Sequence, residues 1–247
     1  MVLQEESTDL ATSSGPMRTW VYRPAAPGRY PGLLLYSEIF QRTGPIKRVA
    51  ATLAGHGLVV AVPEIYHELE PAGTELPYDA AGTERGNRHK VAKPVSAYDG
   101  DARAAIGYLA SHPRCTGRLG TLGICIGGHL AFRAALNPEI RAAACFYATD
   151  LHARSLGKGG DDTLERAGEI RGELLMIWGR QDPHIPVEGR LLIYQRLTAA
   201  GLTFTWHEFN GAHAFMRDEG PRYDPALALT CYRLALDLFT RTLGEGT

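Results

Sequence analysis

The chain of 247 residues has no excess of charge of one sign, no closely spaced pair of cysteines and no long apolar run. Its 26 Lys and Arg nearly balance its 27 Asp and Glu, so neither a basic nucleic-acid surface nor an acidic tail is indicated. Its longest apolar runs are far shorter than the roughly 20 residues that span a bilayer. The acidic N-terminus lacks the apolar segment of a secretory signal. We therefore expect a cytoplasmic protein with no nucleic-acid and no membrane partner.

The four cysteines show neither C-x-x-C spacing nor a metal-type cluster. Cys145 lies in an apolar run and Cys231 in a predicted helix, so both are interpreted as core residues. Cys115 is predicted to lie in a loop. Only Cys125 has a neighbourhood that suggests chemistry, and we expect neither a metal nor an organic cofactor.

Short β-like runs alternate with helix-length segments, a pattern typical of an α/β protein. With 45% hydrophobic and 21% charged residues, residues 1–247 suit one domain with a mostly parallel central sheet and helices on both faces. The predicted strands are 18–23 (an edge strand), 32–37, 58–62, 117–122, 141–147, 173–178 and 203–209. The predicted helices are 45–55, 95–111, 129–136, 187–200 and 225–243.

Two stretches, 63–94 and 151–172, are irregular and rich in glycine and polar residues. Structureless loops of this length are uncommon in compact domains unless they serve a site. Both follow predicted strands, at the edge where open α/β sheets bind ligands. We expect them to shape a pocket, with short helices of their own.

The segment Gly123-Ile124-Cys125-Ile126-Gly127-Gly128 has the form of a nucleophile elbow with cysteine in the serine position. An apolar run precedes it and a helix-compatible run follows, which is the strand–turn–helix context that the motif requires. A thiol there would lie beside the positive end of a helix, which favours the thiolate. A buried structural cysteine is the alternative, and the glycines argue against it.

A thiol nucleophile needs a base, and the base needs an orienting carboxylate. Asp182 directly follows the predicted strand 173–178, and His213 follows the strand 203–209. Their order after Cys125 is the order of α/β-hydrolases. Asp182 precedes a proline and could instead serve a turn or a helix cap. The alternative histidines are His129, His184 and His207, which lack the position after the next strand.

Glu38 directly follows the strand 32–37. In hydrolases this loop donates one oxyanion N–H and the residue after the nucleophile donates the other, which here would be Ile39 and Ile126. A carboxylate beside a developing oxyanion is unexpected for a generic esterase. A solvated loop glutamate is the alternative.

Four segments together resemble the dienelactone hydrolase (carboxymethylenebutenolidase) family over about residues 5–243. They are Glu38-Ile39-Phe40, the Cys125 elbow, Trp178-Gly179 followed by Asp182, and Gly211-Ala212-His213-Ala214-Phe215. The resemblance implies a Cys125–His213–Asp182 triad, with Glu38 taking the thiol proton when substrate binds. Thiol activation limited to that moment would protect the sulfur from oxidation.

The family holds the substrate carboxylate with arginines, and the resemblance carries this role to Arg217, four residues after His213. Arg85 is the best match for a second arginine in the long loop, with Arg88 as the alternative. Tyr147 matches an aromatic position that lines the family's pocket. The stretches 63–94 and 151–172 depart from the family pattern.

The sequence therefore predicts a single-domain α/β-hydrolase that cleaves an ester or lactone through a thioester, most favourably a dienelactone-type enol lactone. A broad carboxylesterase for small neutral esters is the first alternative. A catalytically silent binding protein of the same fold is the second. The assembly is expected to be a monomer or a homodimer.

Overall fold

Eight strands form the centre of the computed structural model, which describes residues 1–244. In chain order they are β1 (Leu3–Thr12), β2 (Gly15–Pro24), β3 (Tyr30–Tyr36), β4 (Val59–Pro63), β5 (Cys115–Ile124), β6 (Ile140–Phe146), β7 (Glu173–Gly179) and β8 (Phe204–Phe209). They join into one sheet in the order β1-β2-β4-β3-β5-β6-β7-β8. β2 is antiparallel to both of its neighbours, β1 and β4. The six strands β3 to β8 all run parallel to one another.

Helices cover both faces of this sheet. They are α1 (Gly44–Gly55), α2 (Ala80–Ala92), α3 (Val95–Ser111), α4 (Ile126–Ala134), α5 (Val187–Ala199) and α6 (Pro225–Leu243). The Thr121 hydroxyl of β5 donates to the Ala131 carbonyl of α4 at 3.0 Å. A Cβ on the preceding residue, Gly120, would lie 3.1 Å from Phe239 of α6. Because successive residues of a strand point to opposite faces, α4 and α6 lie on opposite sides, as predicted.

The predicted edge strand is in fact the second strand. β2 includes residues 18–23, and β1 pairs with it through a tight turn in which Thr12 lies opposite Gly15. The edge is therefore β1, whose residues are mostly exposed and polar. The sequence of β1 shows little apolar alternation, so β1 was not predicted as a strand. The prediction that residues 18–23 form the edge of the sheet was therefore wrong.

The cysteines outside the elbow are all buried. Cys145 and Cys231 are fully buried core residues, as expected. Cys115 is not a loop residue, because it opens β5 and is also fully buried. All four thiols of the chain are free.

The sheet order reverses direction at β3 and β5, because the chain runs from β3 outward to β4 and then returns to the other side of β3. Ligands of open α/β sheets bind at such a switch point. The stretch 63–94 contains α2, a short helix as expected. The stretch 151–172 is mostly turns with one short 3-10 helix, Ala167–Glu169.

The two irregular stretches are joined by backbone hydrogen bonds. Val95 N–H donates to the Lys158 carbonyl, and Lys158 N–H donates to the Lys93 carbonyl, both at 2.9 Å. They therefore form one continuous rim beside the switch point. Among residues 1–244, none of the helices is both long enough and apolar enough to cross a bilayer.

Candidate active site

Cys125 lies at the turn between β5 and α4 with φ 64° and ψ −124°. This backbone conformation is strained for a residue with a side chain and is typical of functional turns. The turn can close only because its neighbours are glycines. A Cβ on Gly123 would lie 1.7 Å from the Gly127 carbonyl oxygen, and one on Gly127 would lie 2.4 Å from that of Tyr36. The sequence thus fixes the sulfur at the carboxyl edge of the sheet.

Asp182 and His213 meet at the ends of β7 and β8. The Nδ1 atom of His213 lies 2.6 Å from Oδ2 of Asp182, and both side chains are buried. Gln181 N–H donates to the Gly211 carbonyl at 3.0 Å. A Cβ on Gly179 would come within 2.3 Å of that same carbonyl oxygen. The two loops are therefore packed backbone against backbone, which holds the carboxylate and the imidazole in register.

The environment of His213 favours its charged form. Burial lowers the pKa of this imidazole, but the charge of a Cys125 thiolate and the hydrogen bonds with Asp182 and Cys125 outweigh burial and raise the pKa to about 10. A group with this pKa is an imidazolium near neutral pH when it faces a thiolate. His213 is thus placed to hold a proton beside the sulfur once Cys125 has lost its own.

His184 is the alternative histidine that the fold brings to the site. Its ring lies edge-on to that of His213 with centroids 4.6 Å apart, and it lines the same cleft. Its backbone N–H donates to Oδ1 of Asp182 at 2.8 Å. Asp182 therefore serves both roles that the sequence left open, since one oxygen closes a turn and the other orients His213.

His129 and His207 have other environments. His129 is fully buried, with Nδ1 3.0 Å from the Thr149 carbonyl oxygen. His207 lies within β8, where its ring stacks on Phe209 with centroids 5.6 Å apart. The fold thus brings His213, and not these two, to the elbow.

Glu38 is a buried carboxyl group at the end of β3, with 2% of its surface exposed. The Tyr78 hydroxyl donates to its Oε2 at 3.3 Å, and Nη1 of Arg217 lies 3.8 Å from its Oε1. Burial raises the pKa of Glu38, while the charges of Arg217 and His213 act in the opposite direction. This carboxyl group is therefore poised to hold a proton at a higher pH than a solvated glutamate. Tyr78 was not anticipated from the sequence.

A cleft of about 220 Å³ opens over these residues. Five predicted site residues line it: Glu38, Ile39, Cys125, His213 and Arg217. Ile126 is the first residue of α4, directly after Cys125, so its N–H belongs to the free end of that helix. Ile39 and Ile126 thus stand in the two positions from which oxyanion donors are expected.

The predicted substrate-binding residues are divided between the cleft and its surroundings. The Arg217 guanidinium lies in the cleft, 4.3 Å from the centre of the Tyr78 ring. Arg85 instead forms an ion pair with Glu70, and Arg88 one with Glu84. Neither Arg85 nor Arg88 is among the lining residues. The structure therefore brings neither arginine of α2 to the cleft, and the second arginine that lines it is Arg222.

Tyr147 lies behind the cleft wall. It is fully buried, and its ring packs edge-on against those of His213 and Phe215, with both centroid distances 5.0 Å. Tyr147 therefore packs against the His213 ring and supports it from behind the cleft.

Several lining residues were missed by the sequence analysis. Three of them, Thr83, Asn87 and Lys90, lie on α2, and the others are Phe40, Thr149, Asp150, His152, Ala153 and Arg222. The spacing of the three α2 residues, i, i+4 and i+7, is that of one helical face. This polar periodicity inside the stretch 63–94 was the available signal.

Two groups of side chains in residues 1–244 place three potential metal-ligand atoms within 4.8 Å of one another. One consists of Asp182 and His213 with His184. The other consists of His67, Glu68 and Asp101. In the second group the buried Lys93 ammonium donates to both carboxylates, so a metal ion would have to displace it.

The chain matches the model of the dienelactone hydrolase family over residues 17–243. It is 41% identical to a putative carboxymethylenebutenolidase of Saccharomyces cerevisiae, over 98% of this chain and 93% of that protein. It is 28% identical to a carboxymethylenebutenolidase of Pseudomonas sp. strain P51, over 90% and 89% of the two chains.

The fold is also found in solved structures. A putative dienelactone hydrolase from Klebsiella pneumoniae superposes with a TM-score of 0.83 at 22% identity, covering 98% of this chain and all of that one. With the family match and the yeast relative, the conclusion is that this chain belongs to the dienelactone hydrolase family.

Proposed function

We propose that this protein hydrolyses a carboxylic ester or lactone through a thioester intermediate, and that a dienelactone-type enol lactone with a free carboxylate is its preferred substrate. The observation that carries the proposal is the convergence of Cys125, the Asp182–His213 pair and Arg217 on one cleft. The carboxymethylenebutenolidase names of the relatives support the lactone. The Arg217 guanidinium supports the carboxylate, since arginine binds carboxylates in bidentate geometry.

The acylation step would begin with attack of the Cys125 sulfur on the lactone carbonyl carbon. The N–H groups of Ile39 and Ile126 would stabilise the oxyanion, a contribution of about 3 kcal/mol for each donor. The ring C–O bond then breaks, and the His213 imidazolium gives its proton to the departing enol oxygen. The raised pKa of His213 suits this acid role.

In deacylation His213, now neutral, would accept a proton from water, whose oxygen attacks the thioester carbonyl. The Cys125 sulfur leaves as thiolate and the imidazolium is restored. Asp182 keeps Nδ1 of His213 as the donor of their shared hydrogen bond, so that Nε2 faces the reaction.

Glu38 would take up the thiol proton when substrate binds. Among residues 1–244 its polar side-chain contacts are with Tyr78 and Arg217, and a substrate carboxylate drawn to Arg217 would compete for that guanidinium. Loss of this partner raises the proton affinity of a buried carboxyl group. Binding of the anionic substrate would thereby favour proton transfer from sulfur to Glu38.

The test compares kcat/KM for cis-dienelactone and for p-nitrophenyl acetate in wild type and in Arg217→Met. We expect a strong preference for the lactone, and at least a tenfold loss on the lactone but not on the neutral acetate in the variant. Arg48→Met is the matched control, because Arg48 pairs with Asp218 at the surface and does not line the cleft.

A broad carboxylesterase for small neutral esters is the second candidate. It is favoured by the position of Arg85 outside the cleft, although Arg222 supplies a second arginine to the lining. Equal losses on both substrates in Arg217→Met, or turnover of the acetate alone, would decide for it. Cytoplasmic location, a single domain over residues 1–247, and assembly as a monomer or homodimer remain predictions from the sequence.

A further inference from the structure

The cleft contains two pairs of a carboxyl group and a cation. Glu38 and Arg217 form one pair, 3.8 Å apart, and Asp150 and Lys90 form the other, 2.8 Å apart. Glu38 follows β3, Cys125 follows β5 and Asp150 follows β6, and these three strands are adjacent in that order. The two pairs therefore lie on opposite sides of the nucleophile.

Helix α2 connects the two sides. Thr83, Asn87 and Lys90 line the cleft from one helical face. The seven steps from Thr83 to Lys90 correspond to about 10 Å along the helix axis. The face thus extends over the length of a small ester, and its last residue is the cation of the second pair.

The two pairs differ in how closely their charges meet. Glu38 is buried, and Nη1 of Arg217 lies 3.8 Å from its Oε1, which is too long for a hydrogen bond, so the guanidinium can still donate to a substrate anion. Burial raises the pKa of Asp150, but the Lys90 charge and the hydrogen bonds from Lys90 and Ser155 outweigh it, and the net shift is downward. Asp150 therefore neutralises Lys90.

Lys90 still has donors for a ligand. An ammonium group carries three N–H donors. Among residues 1–244, the acceptor found for the Lys90 ammonium is Oδ2 of Asp150. The other oxygen of Asp150 is held by the Ser155 hydroxyl at 2.9 Å, which fixes the carboxylate. Two donors of Lys90 thus remain beside the cleft, in a locally neutral environment.

We propose that Lys90 and Asp150 form a second substrate subsite, on the β6 side of Cys125, that takes an uncharged oxygen acceptor and disfavours a second anion. This inference rests on the proposed function and adds to it the orientation of the substrate in the cleft. The substrate carboxylate lies toward Arg217, and a neutral ether, carbonyl or hydroxyl oxygen at the other end lies toward Lys90. A second anion is disfavoured there because Asp150 already neutralises Lys90, so no net positive charge offsets the cost of desolvating that anion.

A purely structural role for the pair makes a different prediction. If Lys90 and Asp150 only attached α2 to the residues after β6, their loss would weaken all substrates by a similar factor. A subsite changes the ratio between substrates instead. The experiment therefore measures ratios within each variant.

The probes are dienelactone and three ring derivatives, which carry methyl, methoxy or carboxylate in place of a ring hydrogen. We expect wild type to prefer methoxy over methyl by about tenfold in kcat/KM, mainly through KM, and to turn over the carboxylate derivative least. Lys90→Met should make methyl and methoxy equal. Asp150→Asn should improve the carboxylate derivative relative to methoxy by at least tenfold.

Lys90→Arg guards against a folding defect, because it retains a cation with several donors and should retain the methoxy preference. Lys47→Met is the matched control, since Lys47 pairs with Glu75 away from the cleft and its loss should leave every ratio unchanged. Wild-type ratios in Lys90→Met, or no gain for the carboxylate derivative in Asp150→Asn, would overturn the subsite while leaving the hydrolase intact. Failure of wild type to turn over dienelactone itself would overturn the proposed function and the subsite with it.

Discussion

The two walls of the cleft are built in different ways. One wall is the carboxyl edge of the sheet. The largely buried strands β3, β5 and β7 lead to Glu38, Cys125 and Asp182, and the partly exposed β8 leads to His213. The other wall is α2, in which the only buried residues are Gly82 and Gly86. The strand-end wall is fixed by the core of the protein. The α2 wall is held by polar contacts, and so it can change composition at a small cost in folding free energy.

The contacts that hold α2 are specific. The buried carboxylate of Glu70 is paired with both Arg85 and His89, and Asp79 caps the helix by accepting from Gly82 N–H at 2.7 Å. Gly86 packs on the loop after β3, where a Cβ would lie 2.6 Å from the Ile39 carbonyl oxygen. These contacts fix the position of α2 against the sheet, and they add little hydrophobic burial.

The largest effect should come from the strand-end wall. Cys125→Ala removes the proposed nucleophile, and we expect kcat/KM on dienelactone to fall by at least about 1000-fold. Cys231→Ala is the matched control, since this buried cysteine of α6 lies outside the cleft and its loss should reduce the melting temperature but not the activity. Activity above a tenth of wild type in Cys125→Ala would contradict the assignment of the nucleophile.

A change in α2 should have a smaller, separable effect. In Gly86→Ala the new methyl group must displace either α2 or the Ile39 carbonyl, so we expect kcat/KM to fall by about tenfold with little change in melting temperature. Gly107→Ala, at an open site of α3, should leave activity unchanged and stabilise the helix by about 0.5–1 kcal/mol. A large loss of thermal stability in Gly86→Ala would show that the two walls are not energetically distinct.

The smallest effect is the pH dependence of stability. His213 has a pKa of about 10 in the fold and 6.5 as its ordinary value, so its contribution is complete below pH 6.5 and is lost as the pH rises through 10. The difference in urea midpoint between wild type and His213→Gln should therefore shrink between pH 6.5 and pH 10. A constant difference over this range would show that the pKa of His213 is not raised in the free protein.

The same contrast explains what the sequence could predict. Cys125 and Asp182 were accessible because each follows an apolar strand, and His213 because it follows the next strand in the chain order of hydrolases. Parallel strands end at one edge, which brings the three together. The roles of Lys90 and Asp150 depend on a contact between residues 60 positions apart, and no local pattern encodes it. Arg85 was selected for its residue type, but the packing of Gly86 on Ile39 decides which face of α2 meets the cleft.

The edge position of β1 was missed for a related reason. A strand that is mostly exposed has no apolar alternation to reveal it, and only its pairing with β2 defines it. Sequence patterns thus report burial well and pairing poorly.

The backbone hydrogen bonds between residues 93–95 and Lys158 have a consequence for engineering. Because they join the stretches 63–94 and 151–172, neither segment can be exchanged alone without breaking the ladder between them. A chimera that borrows the substrate preference of a relative would have to take both segments from the same donor. Sequence comparison should accordingly find insertions in one segment accompanied by changes in the other.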